Sequence, residues 1–146
     1  MIYIKNIEIE DSKDCIYLDS RSLNLWSQNQ WENELINKHV HKLGIYSDEL
    51  ILGLCVFLIV VNEAELRYLS VDPSFRRKGL GSKLMNKFLE VCQKENITKV
   101  FLEVSTKNKE AISFYNSFGF ETCNIRKKYY KDGSDAVLKM KELLKK

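Results

Sequence analysis

The apolar residues of this chain are spaced in two ways, and the spacing predicts which segments are strands and which are helices. Short segments rich in apolar and β-branched residues are typical of strands. They cover residues 2–9, 40–46, 49–61, 64–71, 100–104, 120–130 and 136–141. Apolar stripes of helical period are typical of amphipathic helices. They cover residues 12–23, 79–95 and 109–118, together with a further segment that begins at a capping-box pattern formed by Ser27 and Gln30.

The order of these segments predicts the fold class. Three consecutive strands begin the sheet, and the short polar pairs Ser47-Asp48 and Asn62-Glu63 between them suit the tight turns of an antiparallel meander. A helix over residues 79–95 then connects the strand 64–71 to the strand 100–104. An antiparallel start followed by a helix-connected strand pair predicts an α+β mixed sheet.

Composition adds limits rather than a function. The 146 residues suit one domain, predicted to span residues 1–146, and the net charge of +3 is too small to indicate a nucleic-acid partner. The four cysteines form no metal-binding pattern, and Cys55 and Cys92 lie among apolar neighbours, which predicts buried reduced thiols. No signal-peptide pattern is visible, and the apolar run 50–61 is shorter than the ~18 residues of a spanning helix. We therefore expect a cytoplasmic protein with no membrane partner and no metal.

The most informative segment leads from the strand ending at Val71 into the helix that begins near Gly79. A proline, three basic residues and two glycines occupy this junction. The first turn of a helix carries free amides and a partial positive charge, so it binds phosphate groups. The spacing of the glycines matches neither a Walker loop nor a dinucleotide fingerprint. By itself the segment fits a phosphate-binding loop and a glycine-initiated helix with solvated basic residues equally well.

The junction resembles the Arg/Gln-x-x-Gly-x-Gly/Ala signature of the GNAT acetyltransferase superfamily, and further motifs on both sides extend the likeness over roughly residues 45–125. The signature is carried by Arg76-Arg77-Lys78-Gly79-Leu80-Gly81. The flanking matches are Ile51-Leu52-Gly53, Leu66 to Pro73, Leu102-Glu103-Val104, Asn108, Ala111 and Phe114 to Phe120. The resemblance implies a mostly antiparallel mixed sheet with helices on both faces and acetyl-CoA as the acyl donor.

The resemblance also implies which residues hold the donor. The backbone of residues 69–71 would pair with the pantetheine arm, the amides of residues 77–82 would hold the pyrophosphate, and Asn108 and Tyr115 would contact the thioester end. The predicted donor-binding residues are Leu69, Ser70, Val71, Arg76, Arg77, Lys78, Gly79, Leu80, Gly81, Ser82, Asn108 and Tyr115.

Acetyl transfer to an amine needs a base for the nucleophile and an acid for the leaving thiolate. Glu103 is the candidate base, because it is a carboxylate inside an apolar strand, although a pairing with a cation such as Arg67 would also explain it. Tyr115 is the candidate acid, and the alternative is an aromatic residue that only packs beside Phe114 and Phe118.

Two further segments resemble the amino-terminal protein acetyltransferases, in particular the RimI family of ribosomal-protein alanine N-acetyltransferases. One is Leu25-Trp26-Ser27 followed by Trp31, Glu34 and Leu35, and the other runs from Arg126 through Tyr129-Tyr130 to Asp135-Ala136. The resemblance implies that Trp26, Tyr129 and Tyr130 line the acceptor groove. It also implies that the acceptor is the amino terminus of a protein, with a ribosomal protein as the candidate. Trp31 stands where these relatives have phenylalanine, so it is expected to narrow the groove.

Other readings stay open at this point. The same donor could serve a small amine or a lysine side chain, or the domain could be a non-catalytic acetyl-CoA sensor; a direct nucleic-acid partner has only the basic segment 126–128 in its favour. Four lysines near the carboxy terminus suit the acidic environment of a ribosome, and a solvated tail explains them as well. They are Lys139, Lys141, Lys145 and Lys146.

Overall fold

The computed structural model describes residues 1–143, which form one seven-stranded mixed sheet. In chain order the strands are β1 Ile2–Asn6, β2 Val40–Ser47, β3 Leu50–Val60, β4 Glu63–Val71, β5 Lys99–Ser105, β6 Glu121–Arg126 and β7 Ala136–Glu142. Their spatial order is β1-β2-β3-β4-β5-β7-β6. All neighbouring pairs are antiparallel except β4 and β5, which are parallel. The predicted α+β class with a mostly antiparallel sheet is confirmed.

Four helices cover the two faces of this sheet. They are α1 Ser12–Arg21, α2 Gln28–Ile36, α3 Leu80–Lys94 and α4 Lys109–Ser117. The cap predicted at Ser27 is present, because its side chain accepts a hydrogen bond from the Gln30 amide at 3.2 Å while the Gln30 side chain accepts from the Ser27 amide at 2.8 Å. Single 3₁₀ turns occupy Ile9–Asp11 and Pro73–Phe75.

Two of the predicted strands are shorter than expected, and local backbone features account for both. The strand predicted over residues 2–9 ends at Asn6, since the Glu8 amide donates to the Asp11 carboxylate at 2.9 Å and starts a 3₁₀ turn. The strand predicted over residues 120–130 ends at Arg126, because Lys128 adopts a left-handed φ of 51° that turns the chain.

The sheet separates two apolar cores. Helix α3 packs Leu84, Met85 and Phe88 against one face, and α1 and α2 pack Leu18 and Trp31 against the other. Strand β3 contributes side chains to both cores, which explains why its sequence is almost continuously apolar. Helices therefore lie on both faces, as predicted.

The last strand differs from the expectation of a solvated basic end. Lys139 is buried, and its ammonium donates to Asn116 Oδ1 at 2.7 Å and to Thr122 Oγ1 at 3.1 Å. Neighbouring Val137 belongs to the core beneath α3, so Lys139 points to the same face and holds α4 to β6. Lys145 and Lys146 lie outside the described residues.

The sheet opens between β4 and β5. Their parallel pairing covers only Glu63–Glu65 against Lys99–Phe101 within the described chain. Next to this short pairing, β4 contains a β-bulge in its pairing with β3. Val56 pairs with Tyr68 and the next residue of β3 pairs with Leu66, so Arg67 is an extra residue in β4. Beyond it β4 and β5 no longer pair, and within residues 1–143 the edge of β4 at residues 69–71 has no strand partner on that side.

Candidate active site

A cavity of about 430 Å³ occupies the end of this gap, between β4, the following loop and the first turns of α3 and α4. Every predicted donor-binding residue except Lys78 lines it. Five further lining residues were not among the predicted donor-binding residues, and two of them, Ala111 and Phe114, lie within the motif segments. These are Leu23, Phe75, Glu110, Ala111 and Phe114.

Lys78 is the one predicted donor-binding residue that does not line the cavity. Its Nζ lies 5.6 Å from the centre of the Phe75 ring, in a cation–π contact. Arg77 and Gly79 on either side have left-handed φ values of 64° and 78°. Arg77 and Gly79 themselves line the cavity, and the Lys78 side chain packs on Phe75 at the cavity edge.

The beginning of α3 presents an anion-binding surface to the cavity. The first α-helical hydrogen bond runs from the Lys83 amide to the Gly79 carbonyl at 3.1 Å, so the preceding amides have no intrahelical partner. A Cβ built on Gly81 would lie 3.7 Å from Phe114 and meet nothing closer, so the space that a side chain would fill there is part of the cavity. Free amides, the helix dipole and nearby Arg77 fit a pyrophosphate group.

The edge of β4 offers backbone donors to the same cavity. The Asp72 amide donates to the Leu52 carbonyl at 2.7 Å, toward β3. Because amides alternate between the two edges of a strand, those of Leu69 and Val71 point into the gap. An extended ligand can pair with this edge as an additional strand would.

Tyr115 reaches the gap from α4. Its ring packs between Phe114 and Phe120, with centroid distances of 5.6 and 6.0 Å. Burial raises the pKa of the Tyr115 phenol above its ordinary value, so the phenol is protonated throughout the physiological range. Among the described residues its hydroxyl has no hydrogen-bond partner, which leaves the proton free for a ligand.

Glu103 lies on β5 with its side chain on the face of α1 and α2, opposite the buried Leu102 and Val104. Arg126 Nη1 is 3.7 Å from Glu103 Oε2, and the Tyr130 hydroxyl donates to Glu103 Oε1 at 3.4 Å. The alternative of a cation partner for Glu103 is therefore met by Arg126 and not by Arg67. That guanidinium contacts Glu34 at 3.1 Å and Glu65 at 3.8 Å instead.

The three predicted acceptor residues lie on two separate elements. Trp26, in the loop between α1 and α2, packs on Tyr68 of β4 with ring centroids 5.2 Å apart. Tyr129 and Tyr130 follow β6, and Tyr129 is half exposed with its ring 5.2 Å from that of Tyr130. Burial raises the pKa of Tyr130 to about 12, with Glu103 adding to the effect. Trp31 is fully buried beneath Trp26, so its side chain belongs to the core and does not reach the surface where the predicted groove would lie.

Two carboxylates that sequence reasoning overlooked organise this region. Asp19 of α1 is buried and accepts hydrogen bonds from α1–α2 loop amides and from side chains of α2 and β4. Asp72 accepts two hydrogen bonds from Arg21. The position of Asp72 directly before Pro73 is a capping signal that points to it, whereas no local pattern distinguishes Asp19 from a solvated helix residue.

Two kinds of feature are absent from residues 1–143. No group of three or more His, Cys, Asp and Glu side chains is arranged to hold a metal ion in this part of the chain. No helix within it is long and apolar enough to cross a membrane.

Comparison with known proteins identifies the family. The Acetyltransferase (GNAT) family matches residues 6–120. The ribosomal protein bS18-alanine N-acetyltransferase of Salmonella typhimurium is 30% identical over 105 residues, which are 72% of this chain and 70% of that protein. The corresponding protein of Escherichia coli is 27% identical over 139 residues, 92% of this chain and 93% of its own.

Solved structures agree with this result. The crystal structure of the ribosomal-protein-S18-alanine N-acetyltransferase from Escherichia coli superimposes with a TM-score of 0.91 at 26% identity, covering 97% of this chain and 94% of that one. Ard1 from Thermoplasma volcanium gives a TM-score of 0.88 at 27% identity, with 99% of both chains covered. The predicted family, fold and class of enzyme are thus confirmed, and with them acetyl-CoA as the donor that the family uses. The chain belongs to the GNAT family of acetyltransferases.

Proposed function

We propose that this acetyltransferase transfers the acetyl group of acetyl-CoA to the amino-terminal α-amine of a protein. The observation that carries the proposal is the contact between the Tyr130 hydroxyl and Glu103 Oε1 at 3.4 Å. It brings a carboxylate beside the segment that resembles the peptide-binding hairpin of amino-terminal acetyltransferases. The matched relatives, whose names specify the alanine terminus of a ribosomal protein, support a protein acceptor and make a ribosomal protein the first one to test.

The acceptor must attack as a neutral amine, and an α-amine suits this requirement. Its ordinary pKa of about 7.8 is roughly 2.6 units below that of lysine, which corresponds to about 3.5 kcal/mol less for deprotonation at neutral pH. In the proposed mechanism Glu103 takes the amine proton directly or through one water molecule. The amine nitrogen then forms a bond to the thioester carbon.

The developing oxyanion and the departing thiolate need their own partners. The amide of Leu69, which points into the gap, is placed to donate to the oxyanion, while that of Val71, nearer the start of α3, pairs with the pantetheine arm. As the carbon–sulfur bond breaks, the thiolate takes the proton of the Tyr115 phenol. The second proton on the amine nitrogen leaves to solvent as the amide forms, and a proton from solvent restores the phenol. The proton held by Glu103 returns to solvent as well. Every proton in the reaction thus has a donor and an acceptor.

Burial changes the acid–base match at Tyr115 in a way that sequence reasoning did not foresee. The phenol becomes a weaker acid than a solvated tyrosine. However, burial affects thiols in the same direction, and it raises the pKa of the Cys92 thiol beneath α3 to about 12. The same effect on the coenzyme A thiol would keep the thiol pKa close to that of the phenol, so proton transfer from Tyr115 to the thiolate would cost little.

The proposal is tested with short peptides that vary in their first residue, together with a lysine-containing peptide whose amino terminus is blocked. Transfer to free α-amines is expected, and none to the blocked peptide. Glu103→Gln and Tyr115→Phe should each lower kcat by roughly 10²–10⁴-fold, as is typical for loss of a general base or acid. Transfer to the blocked peptide alone would make the protein a lysine acetyltransferase. Binding of coenzyme A with no transfer to any peptide would contradict a protein acceptor.

A further inference from the structure

Asp19 is a buried carboxylate whose partners come from three other segments of the chain. Only 2% of the surface of this residue is exposed to solvent. It accepts hydrogen bonds from the Leu25 amide at 3.0 Å, the Trp26 amide at 2.9 Å, Trp31 Nε1 at 3.1 Å and the Tyr68 hydroxyl at 2.8 Å. No lysine, arginine or histidine forms an ion pair with it within residues 1–143.

A buried charge without a counter-ion is unfavourable unless dipoles surround it. Burial alone would raise the pKa of Asp19, but the hydrogen bonds from the two loop amides, Tyr68 and Trp31 together lower it below its usual range. All of these partners are donors in this arrangement. Only an ionised carboxylate can accept from all of them at once, so Asp19 is charged in the folded protein.

The hydrogen bonds join the acceptor side of the site to the donor side. Trp26 belongs to the uncharged loop between α1 and α2, and its ring packs on the rings of Trp31 and Tyr68 at 4.6 and 5.2 Å. Tyr68 is on β4, directly before residues 69–71, whose free edge faces the donor cavity. The carboxylate therefore sets the distance between the loop that carries Trp26 and the strand that faces the donor.

We propose that Asp19 is a positioning residue for the acceptor: it holds the Trp26 loop on β4 so that the incoming amine meets the thioester in a productive geometry. The inference rests on the proposed function, because it concerns the acceptor groove of that reaction. A displacement of about 1 Å in such a groove lowers the rate by up to roughly 10²-fold. Asp19 touches neither substrate, and its effect passes through Trp26 and Tyr68.

The same helix provides a matched control. Asp14 lies one turn earlier in α1, and its Oδ2 accepts a hydrogen bond from the Tyr46 hydroxyl at 2.9 Å. Tyr46 is as deeply buried as Tyr68 and belongs to the same core, but it is on β2, away from the donor cavity. Two carboxylate–tyrosine pairs thus join α1 to the sheet, and only one of them carries the Trp26 loop.

The experiment compares Tyr68→Phe with Tyr46→Phe and Asp19→Asn with Asp14→Asn. For each variant we would measure the kinetic constants for an α-amine peptide, the Kd of coenzyme A and the thermal midpoint. Tyr68→Phe should lower kcat/KM for the peptide about 10-fold, and Asp19→Asn at least as much, with the Kd of coenzyme A changed less than twofold. Tyr46→Phe should lower the thermal midpoint by a similar amount to Tyr68→Phe and leave the peptide kinetics within twofold.

Equal kinetic effects of the two tyrosine variants would overturn the inference, and so would an Asp19→Asn effect that falls equally on the peptide and on coenzyme A. Amide hydrogen exchange gives a readout that does not depend on activity. Asp19→Asn should speed exchange at Leu25 and Trp26 about 10-fold or more, and Asp14→Asn should not. If the wild-type protein acetylates no peptide, the proposed function fails. The role of Asp19 is tested separately, because unchanged exchange at Leu25 and Trp26 in Asp19→Asn would overturn it.

Discussion

Arg21 at the end of α1 and Asp72 at the end of β4 form a bidentate ion pair across the entrance of the donor loop. Arg21 Nε donates to Asp72 Oδ2 at 2.7 Å, and Arg21 Nη2 donates to Asp72 Oδ1 at 3.1 Å and to Ser74 Oγ at 3.1 Å. The Asp72 side chain is only 3% exposed, and it also accepts from the Ser74 amide at 2.9 Å. The pair therefore fixes the 3₁₀ turn that begins the donor loop.

We expect Asp72→Asn to weaken this turn and with it the donor site. The variant loses a charge-assisted bidentate contact, so the protein should be destabilised by about 1–3 kcal/mol, or roughly 3–10 °C in Tm. The Kd of coenzyme A should rise several-fold in calorimetric titration. Lys87→Gln is the control, because it removes an exposed ion pair with Glu90 on α3 and should change neither quantity measurably. An unchanged coenzyme A affinity in Asp72→Asn would contradict this role.

The stability that Asp72 supplies should disappear in acid. The hydrogen bonds from Arg21 lower the pKa of the Asp72 carboxyl, so the folded state favours its ionised form. A lowered folded-state pKa adds stability above the unfolded value of about 3.9, and that stability is lost as the pH falls through the folded value. The difference in Tm between the wild type and Asp72→Asn should be constant near neutral pH and shrink below about pH 4. A difference that grows in acid would refute the assignment.

Gly81 should separate donor binding from folding. An added Cβ would meet its nearest neighbour, Phe114, at 3.7 Å, which is ordinary contact. Gly81→Ala should therefore keep the free energy of unfolding or raise it by up to about 1 kcal/mol. The methyl group would occupy the cavity, and the affinity for coenzyme A should fall 10-fold or more. Gly53→Ala provides the contrast, because its Cβ would lie 2.9 Å from Ile45 and 3.1 Å from the Ser70 carbonyl. This variant should destabilise the folded protein by about 1–3 kcal/mol.

The cysteines should differ sharply in reactivity. Cys15, Cys55 and Cys92 are buried and free, whereas Cys123 on β6 is exposed. Burial raises the pKa of Cys15 and Cys92 to about 12, so their reactive thiolate forms are scarce at neutral pH. A chromogenic disulfide reagent should therefore modify one thiol rapidly in the native protein and the others only after denaturation, and Cys123→Ser should abolish the rapid phase. Fast modification of a second thiol would show that one of the cores opens.

Periodicity and motif predicted most of the fold and the donor side of the site. Helix α3 and the loop before it were predictable because their information is local: a few consecutive residues set the turn, the free amides and the apolar stripe. The ends of β1 and β6 were not, because the capping box at Glu8 and the left-handed Lys128 overrode the apolar pattern. Lys78 belongs to the same motif as Arg77, but only Arg77 lines the cavity. The left-handed backbone at Arg77 and Gly79 turns the chain here, and the motif does not contain this information.

The sequence by itself determined the family, the layered α+β architecture and the glycine-rich start of α3, since each depends on neighbouring residues or on a spacing that a single element preserves. Only the tertiary structure decided which groups meet across elements. Glu103 contacts Arg126 and Tyr130 rather than Arg67, and Asp19 gathers donors from three other segments. Such contacts depend on strand order, on the extra residue in β4 and on the competition of buried polar groups for partners, none of which a local pattern contains.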